Sequence, residues 1–183
     1  MLDLLDLHKY FILSHLKPGD CAVDYTMGNG HDTEFLSKTV GENGRVFAFD
    51  IQPNALNSTK ARLVASGCPD NYTLFCTSHH RAAEFVDRKV RAGMFNLGYL
   101  PGSDKKITTM HETTLAAIDA AISLMDSDAI VLIAIYPGHA EGELEGRLVG
   151  EKLSALDRHQ YTVGCFKLIN SPTSPYFYIV EGH

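Results

Sequence analysis

Seven apolar runs punctuate the chain, and helical patterns separate the first six of them. The runs are "CAVDYT" (21–26), "RVFAFDI" (45–51), "YTLFCT" (72–77), "AGMFNLG" (92–98), "AIVLIAIY" (129–136), "YTVGCFKLI" (161–169) and "YFYIVE" (176–181). Helical spacing is read near 2–16, 32–40, 53–66, 80–89, 108–125 and 141–158. Strands separated by helices pair in parallel through right-handed crossovers, which place helices on both faces of the sheet. Only "NSPTSP" joins the last two runs, leaving no room for a helix, so they form an antiparallel hairpin at one edge. The expected fold is therefore α/β, a doubly wound, seven-stranded, mostly parallel sheet ending in that hairpin.

Other properties narrow the class. With 183 residues, 45% of them apolar, the chain is expected to form a single domain spanning 1–183 around one core. The opening "MLDLLDLHKYFILSHL" carries Asp3 and Asp6 and lacks a basic start, so it reads poorly as a signal peptide. No apolar stretch is long enough to span a bilayer, and a cytoplasmic protein without a membrane partner is expected. The four cysteines show no CxxC pairing, three of them lie in apolar runs as small core residues do, and no metal site is expected. The net charge of −6 weighs against a partner held mainly through phosphates.

In doubly wound sheets ligands bind at the carboxyl ends of the strands, where the strand order reverses. The first run leads there into "TMGNGHDTEFL", in which Gly28 and Gly30 permit close backbone approach at a helix start. The dinucleotide fingerprint needs a third glycine or alanine, which is missing, and Asp32 and Glu34 would repel a pyrophosphate. S-adenosylmethionine suits the loop better, because its ammonium and sulfonium attract carboxylates and its single carboxylate can meet free helix N–H groups. Asp32 and Glu34 are also placed to complement the helix dipole alone.

Asp50 ends the second run, 20 residues after Gly30, where an acid can accept both ribose hydroxyls. Gln52 stands two residues further on. Ser78 and His79, in the "TSHH" that follows the third run, fall beside an adenine in this architecture. The fourth run exits through "FNLGYLPGSDKK", similar to the Asn-Pro-Pro-Tyr loop of amino-methylating enzymes, in which the Asn oxygen and a backbone carbonyl hold the target amine. "YPGHAEGE" leaves the fifth run on the same side, bringing Tyr136 and His139 towards the acceptor. The same Asn- and Gly-rich stretches also serve as plain turns.

Taken in order, "DYTMGNGHDTEFL", "FAFDIQPNAL", "TSHH", "FNLGYLPGSDKKITT", "YPGHAEGE" and "NSPTSPYFYIVE" resemble the bacterial family that carries the name rRNA methylase, of the class I, Rossmann-like methyltransferases. Members of that family are assigned as tRNA methyltransferases that convert 5-aminomethyl-2-thiouridine at the wobble position to its methylaminomethyl form with S-adenosylmethionine. The resemblance implies that Asn29, Asp32, Asp50, Gln52, Ser78 and His79 contact the cofactor, beside Asp24, Gly28 and Gly30. It makes Asn96 and Tyr99 the target-site residues. "SPTSP" and the second histidine of "SHH" depart from the family pattern.

With tRNA as substrate, Lys105 and Lys106 are placed to meet anticodon-loop phosphates, and Arg147, Lys152 and Arg158 recur after the fifth run. So few cations favour a homodimer that pools two surfaces. The proton acceptor is left open between His139, Asp24 and water. Two other classes compete: a methyltransferase of small amines or other metabolites, and a nicotinamide oxidoreductase, which shares Asp50 but needs the pyrophosphate site that Asp32 opposes.

Overall fold

The computed structural model describes residues 4–97, 111–138 and 140–183. Its elements run α1 (Leu4–His15), β1 (Cys21–Asp24), α2 (His31–Val40), β2 (Arg45–Asp50), α3 (Pro53–Ala65), β3 (Tyr72–Cys76), a 3-10 turn (His79–Arg81), α4 (Ala82–Phe85), β4 (Val90–Asn96), α5 (His111–Leu124), β5 (Met125–Ile135), α6 (Ala140–Ser154), β6 (Tyr161–Phe166) and β7 (Tyr176–Gly182). The seven strands form one sheet in the order β3-β2-β1-β4-β5-β7-β6, with β7 antiparallel to both β5 and β6 and the other pairs parallel. The doubly wound sheet with its edge hairpin is the fold expected from the alternating runs. Among the described residues no helix is long and apolar enough to cross a membrane.

Because the central strands are covered on both faces, their side chains are apolar in both directions. Val23, Tyr25, Phe47, Phe49, Phe95, Val131 and Ile133 point into one cluster with α5 and α6, while Ala22, Val46, Met94, Leu132 and Ala134 meet α1 and α2 on the other. The chain winds outward from β1 through β2 to β3, then returns to begin β4 on the other side of β1. That reversal places the crevice between the carboxyl ends of β1 and β4.

Three local expectations are corrected. The helix read over 80–89 shrinks to the 3-10 turn and the single turn of α4, and Val86 is already extended, at φ −88° and ψ 110°. The chain must descend the depth of the sheet between Cys76 and Val90, and extended residues cover about twice the length of helical ones. The fifth strand begins at Met125 rather than 129, because a register shift between Val90 and Ala92 and a left-handed Asp128 (φ 55°) absorb the polar "MDSD" as a bulge. Of the thiols read as core, only Cys21 is buried; Cys76 and Cys165 lie exposed on the two edge strands.

Gly93, at the middle of β4, carries the aromatic layer beneath the crevice. A Cβ there would sit 3.0 Å from Tyr25 Cε2 and 3.3 Å from Val131 Cγ2. Without it the Tyr25 ring lies flat on Phe95, 4.2 Å between centroids and 5° from parallel. Gly93→Val should therefore overpack this layer and cost about 1–3 kcal/mol, read as a lowered urea midpoint. Wild-type stability would mean that the aromatic layer yields freely.

Candidate active site

The turn leaving β1 is closed from three sides. Gly28 and Gly30 both hold positive φ, 50° and 80°, which other residues adopt only with strain. At Gly30 a Cβ would also press within 2.9 Å of the Thr59 backbone and hydroxyl, so α3 approaches the loop as closely as glycine allows. Thr59 donates its hydroxyl to the Gly28 carbonyl at 3.1 Å, and Arg62 Nε donates to the Asn29 carbonyl at 2.7 Å. Gly30 is the N-cap of α2 and supplies no side-chain cap. The first-turn N–H groups of an α-helix lack intrahelical acceptors and remain available to an anionic group.

Asp50 at the end of β2 ties two turns together. Its Oδ2 accepts the Gly28 N–H at 3.1 Å and its Oδ1 accepts the Gln52 N–H at 2.9 Å. A carboxylate offers about four lone-pair positions, so each oxygen retains capacity for a further donor. Burial raises the Asp50 pKa, opposed by these backbone N–H groups. Two acceptor oxygens beside a glycine turn fit the vicinal hydroxyls of a ribose, and the free N–H groups of α2 fit a carboxylate.

Asp24 lies beneath the loop, 1% exposed, with Oδ2 accepting the Thr33 hydroxyl at 2.6 Å and Oδ1 accepting the Thr26 N–H at 3.0 Å. Burial, reinforced by the Asp32 carboxylate, pushes its pKa up to about 7. The exit of β4 is pinned to the same turn, since the Asn96 N–H donates to Thr26 Oγ1 at 2.7 Å. The Asn96 amide nitrogen stands 3.4 Å from Asp32 Oδ2. A carboxylate only accepts, so the nitrogen faces Asp32 and the amide oxygen is left to accept from elsewhere.

His79 is buried, packs against Phe95 and meets the Tyr25 carbonyl through Nδ1 at 3.1 Å. The carbonyl requires Nδ1 to be the protonated nitrogen, and burial holds the imidazole down at about 4. Near neutral pH Nε2 is then an acceptor. Ser78 Oγ bonds the exposed His80 at 2.8 Å. Tyr136 packs half-buried against the cluster under α1 and α2. Tyr99, Lys105, Lys106 and His139 lie outside the described residues.

Glu34 faces away from this ligand space. It pairs with Lys38 at 2.7 Å and Arg62 at 3.2 Å, chiefly the Lys38 bond holding its carboxyl down at about 2. Thr26, Thr33, Thr59, Arg62 and His8, which stands 3.9 Å from Asp32, were not legible as site residues from sequence. Thr59 at least carried a signal, since it continues the buried Ala55–Leu63 stripe of α3 at i+4 spacing.

Residues 46–181 match the family model described as "Putative rRNA methylase". The chain belongs to this family. A protein of the same description from Clostridium thermocellum has a solved structure that superposes at a TM-score of 0.97, with 38% identity over 100% of this chain and 99% of that one. A Streptococcus mutans protein described as a methyltransferase, crystallised in complex with SAH, superposes at 0.91 with 31% identity over 100% and 99% of the two chains. The tRNA (mnm(5)s(2)U34)-methyltransferase, chloroplastic, of Arabidopsis thaliana is 35% identical over 170 residues, 87% of this chain. This chain spans 62% of that relative's length. Family and fold together make it an S-adenosylmethionine-dependent methyltransferase.

Arg62 holds Asn29, Glu34 and His31, so Arg62→Ala should weaken S-adenosylmethionine binding several-fold by loosening the turn, about 1 kcal/mol by calorimetry. Unchanged affinity would show that Thr59 and Asp50 hold it without Arg62.

Two buried groups also impose opposite pH dependences on stability. Folded Asp24 keeps its proton to about pH 7 against 3.8 for the ordinary group, so stability falls as pH rises across that window. Folded His79 loses its proton near 4 instead of 6.5, so stability rises across its window. Urea midpoints between about pH 4 and 6.5 should climb more steeply than wild type in Asp24→Asn and less steeply in His79→Gln. An unchanged slope in either variant would remove that group from the balance.

Proposed function

We propose that this methyltransferase transfers a methyl group to the exocyclic amine of 5-aminomethyl-2-thiouridine at the wobble position of tRNA. The observation that carries this reading is the Asn96 side chain. With the Asn96 backbone N–H held by Thr26 and the amide nitrogen turned to Asp32, the amide oxygen is offered as an acceptor for an amine N–H. The name of the Arabidopsis relative supports the choice of acceptor. The proposal takes the chain as a single domain, working in the cytoplasm as a homodimer on the anticodon loop.

S-adenosylmethionine supplies an electrophilic methyl on a sulfonium. Asp50 would hold the ribose hydroxyls through its two oxygens, with Gln52 at the same turn. The loop from Gly28 through Gly30, with Asn29 at its tip, and the first turn of α2 would take the amino-acid end, over Asp24. Ser78 and the Nε2 of His79 would meet the adenine. Asn96 would accept one N–H of the incoming amine and so aim the nitrogen lone pair at the methyl carbon. The N–C bond forms as the C–S bond breaks, with its electron pair passing to sulfur. An ammonium has no lone pair, so the acceptor must first give a proton to water and attack as the neutral amine, leaving as the methylated ammonium. Most of the acceleration then comes from alignment.

In this role Asn96→Ala should lower kcat about 10- to 100-fold while changing cofactor affinity less than about two-fold, because its bond matters in the aligned state. The assay is transfer of labelled methyl from S-adenosylmethionine to tRNA from a strain lacking the final methylation. Labelling of small amines with no transfer to that tRNA would replace the RNA reading with a metabolite methyltransferase. Near-normal kcat in Asn96→Ala would leave the amide as a turn residue.

A further inference from the structure

We infer that His8 is a positioning residue of this site, acting on the acceptor amine through Asp32 and Asn96. The inference rests on the proposed amine methylation. It concerns α1, which precedes residue 46, where the family match begins. The helix packs against the sheet with Leu4 and Ile12 buried, as is Leu16 just past its end. His8 lies on that buried side, 3% exposed. Its ring meets Phe177 edge-on, with centroids 6.3 Å apart and planes at 75°, and Phe177 is packed in turn by Phe11 and Phe166. The imidazole is therefore held in place by the core of the sheet.

From there Nε2 stands 3.9 Å from Asp32 Oδ1, and the two side chains are 4% and 12% exposed. The other oxygen of Asp32, Oδ2, faces the Asn96 amide nitrogen at 3.4 Å. One carboxylate thus links two elements, α1 through one oxygen and β4 through the other. Asp32 also stands close enough to the buried Asp24 carboxyl to raise its pKa. Once Asp24 ionises, above about pH 7, repulsion between the two carboxylates drives Asp32 outward, and an imidazole N–H or imidazolium on its far side opposes that drift. With Asp32 held, the Asn96 amide keeps its nitrogen inward and its oxygen towards the acceptor. With Asp32 released, the amide can turn over and present a donor where an acceptor is needed. His8 touches neither the amine nor the cofactor in this scheme.

The test compares His8→Leu, which keeps the apolar packing and removes the ring nitrogens, with His8→Gln, which keeps a polar N–H group facing Asp32. His8→Leu should lower kcat for labelled methyl transfer to the hypomodified tRNA about 10-fold, with the KM for S-adenosylmethionine within about two-fold of wild type. His8→Gln should recover most of the rate. Equal losses in both variants, or a loss confined to KM, would overturn the inference.

A second measurement needs no acceptor. Urea midpoints of His8→Leu, Asp32→Asn and the double variant should be non-additive, because the first change removes the contact that the second would break. Additive midpoints would overturn the His8–Asp32 contact itself. Coupled midpoints together with a wild-type enzyme that does not label the tRNA would leave the contact standing, and would overturn the role assigned to it along with the choice of acceptor.

Discussion

Three carboxylates crowd the carboxyl end of this sheet, and their mutual repulsion is the constraint around which the site is arranged. Each is answered by a different means. Asp50 takes two backbone N–H groups, one from each of two turns, and so staples the β1 loop to the β2 loop. Asp24 is withdrawn from water altogether, with threonine and backbone donors on its oxygens and a pKa near neutrality. Asp32 stays at the surface of the crevice between an asparagine amide and a histidine. Had all three been left charged and unpaired, their repulsion would have opened the turn that they surround.

The glycine loop is shaped as much by α3 as by its own residues. Gly30 adopts a left-handed conformation that only a residue without a Cβ takes readily, and the absent Cβ lets the Thr59 backbone come close. Thr59 and Arg62 then collect the carbonyls of Gly28 and Asn29, while the Gly28 N–H goes to Asp50 and the Gly30 N–H to the Met27 carbonyl. The donors left for a carboxylate ligand are the first-turn N–H groups of α2. Glu34, which looked from its position like a second acid of the site, belongs instead to the Lys38 and Arg62 pairs behind the loop.

Much of this was legible in the order of residues. Alternation of apolar runs and helices is a strong signal because parallel strands must be covered on both faces, and it led to the observed sheet and its edge hairpin. The loop glycines and Asp50 were legible because their spacing to a strand end is local. Thr26, Thr59, Arg62 and His8 were not, because each enters the site from an element whose own sequence reads as an ordinary strand end or helix. The helix expected after β3 failed for a geometric reason, the need to cross the sheet within few residues. The bulge at Asp128 is invisible in a polar "MDSD" that reads as a turn.

The strand order has a further consequence for how the protein assembles. The crevice straddles the β1–β4 junction, where Ala22 pairs with Ala92, 70 residues away along the chain. Closing so long a loop is entropically costly, and contacts of this range form late and slowly. Asn96 of β4 meets the residues of β1 and α2 only once that closure is complete. A partly folded chain holding β1, β2 and β3 would contain the glycine loop and Asp50 but no Asn96, and so half of a crevice. A ligand spanning both halves recognises the finished topology, and its binding energy adds to the stability of the complete sheet and of no intermediate that lacks the junction.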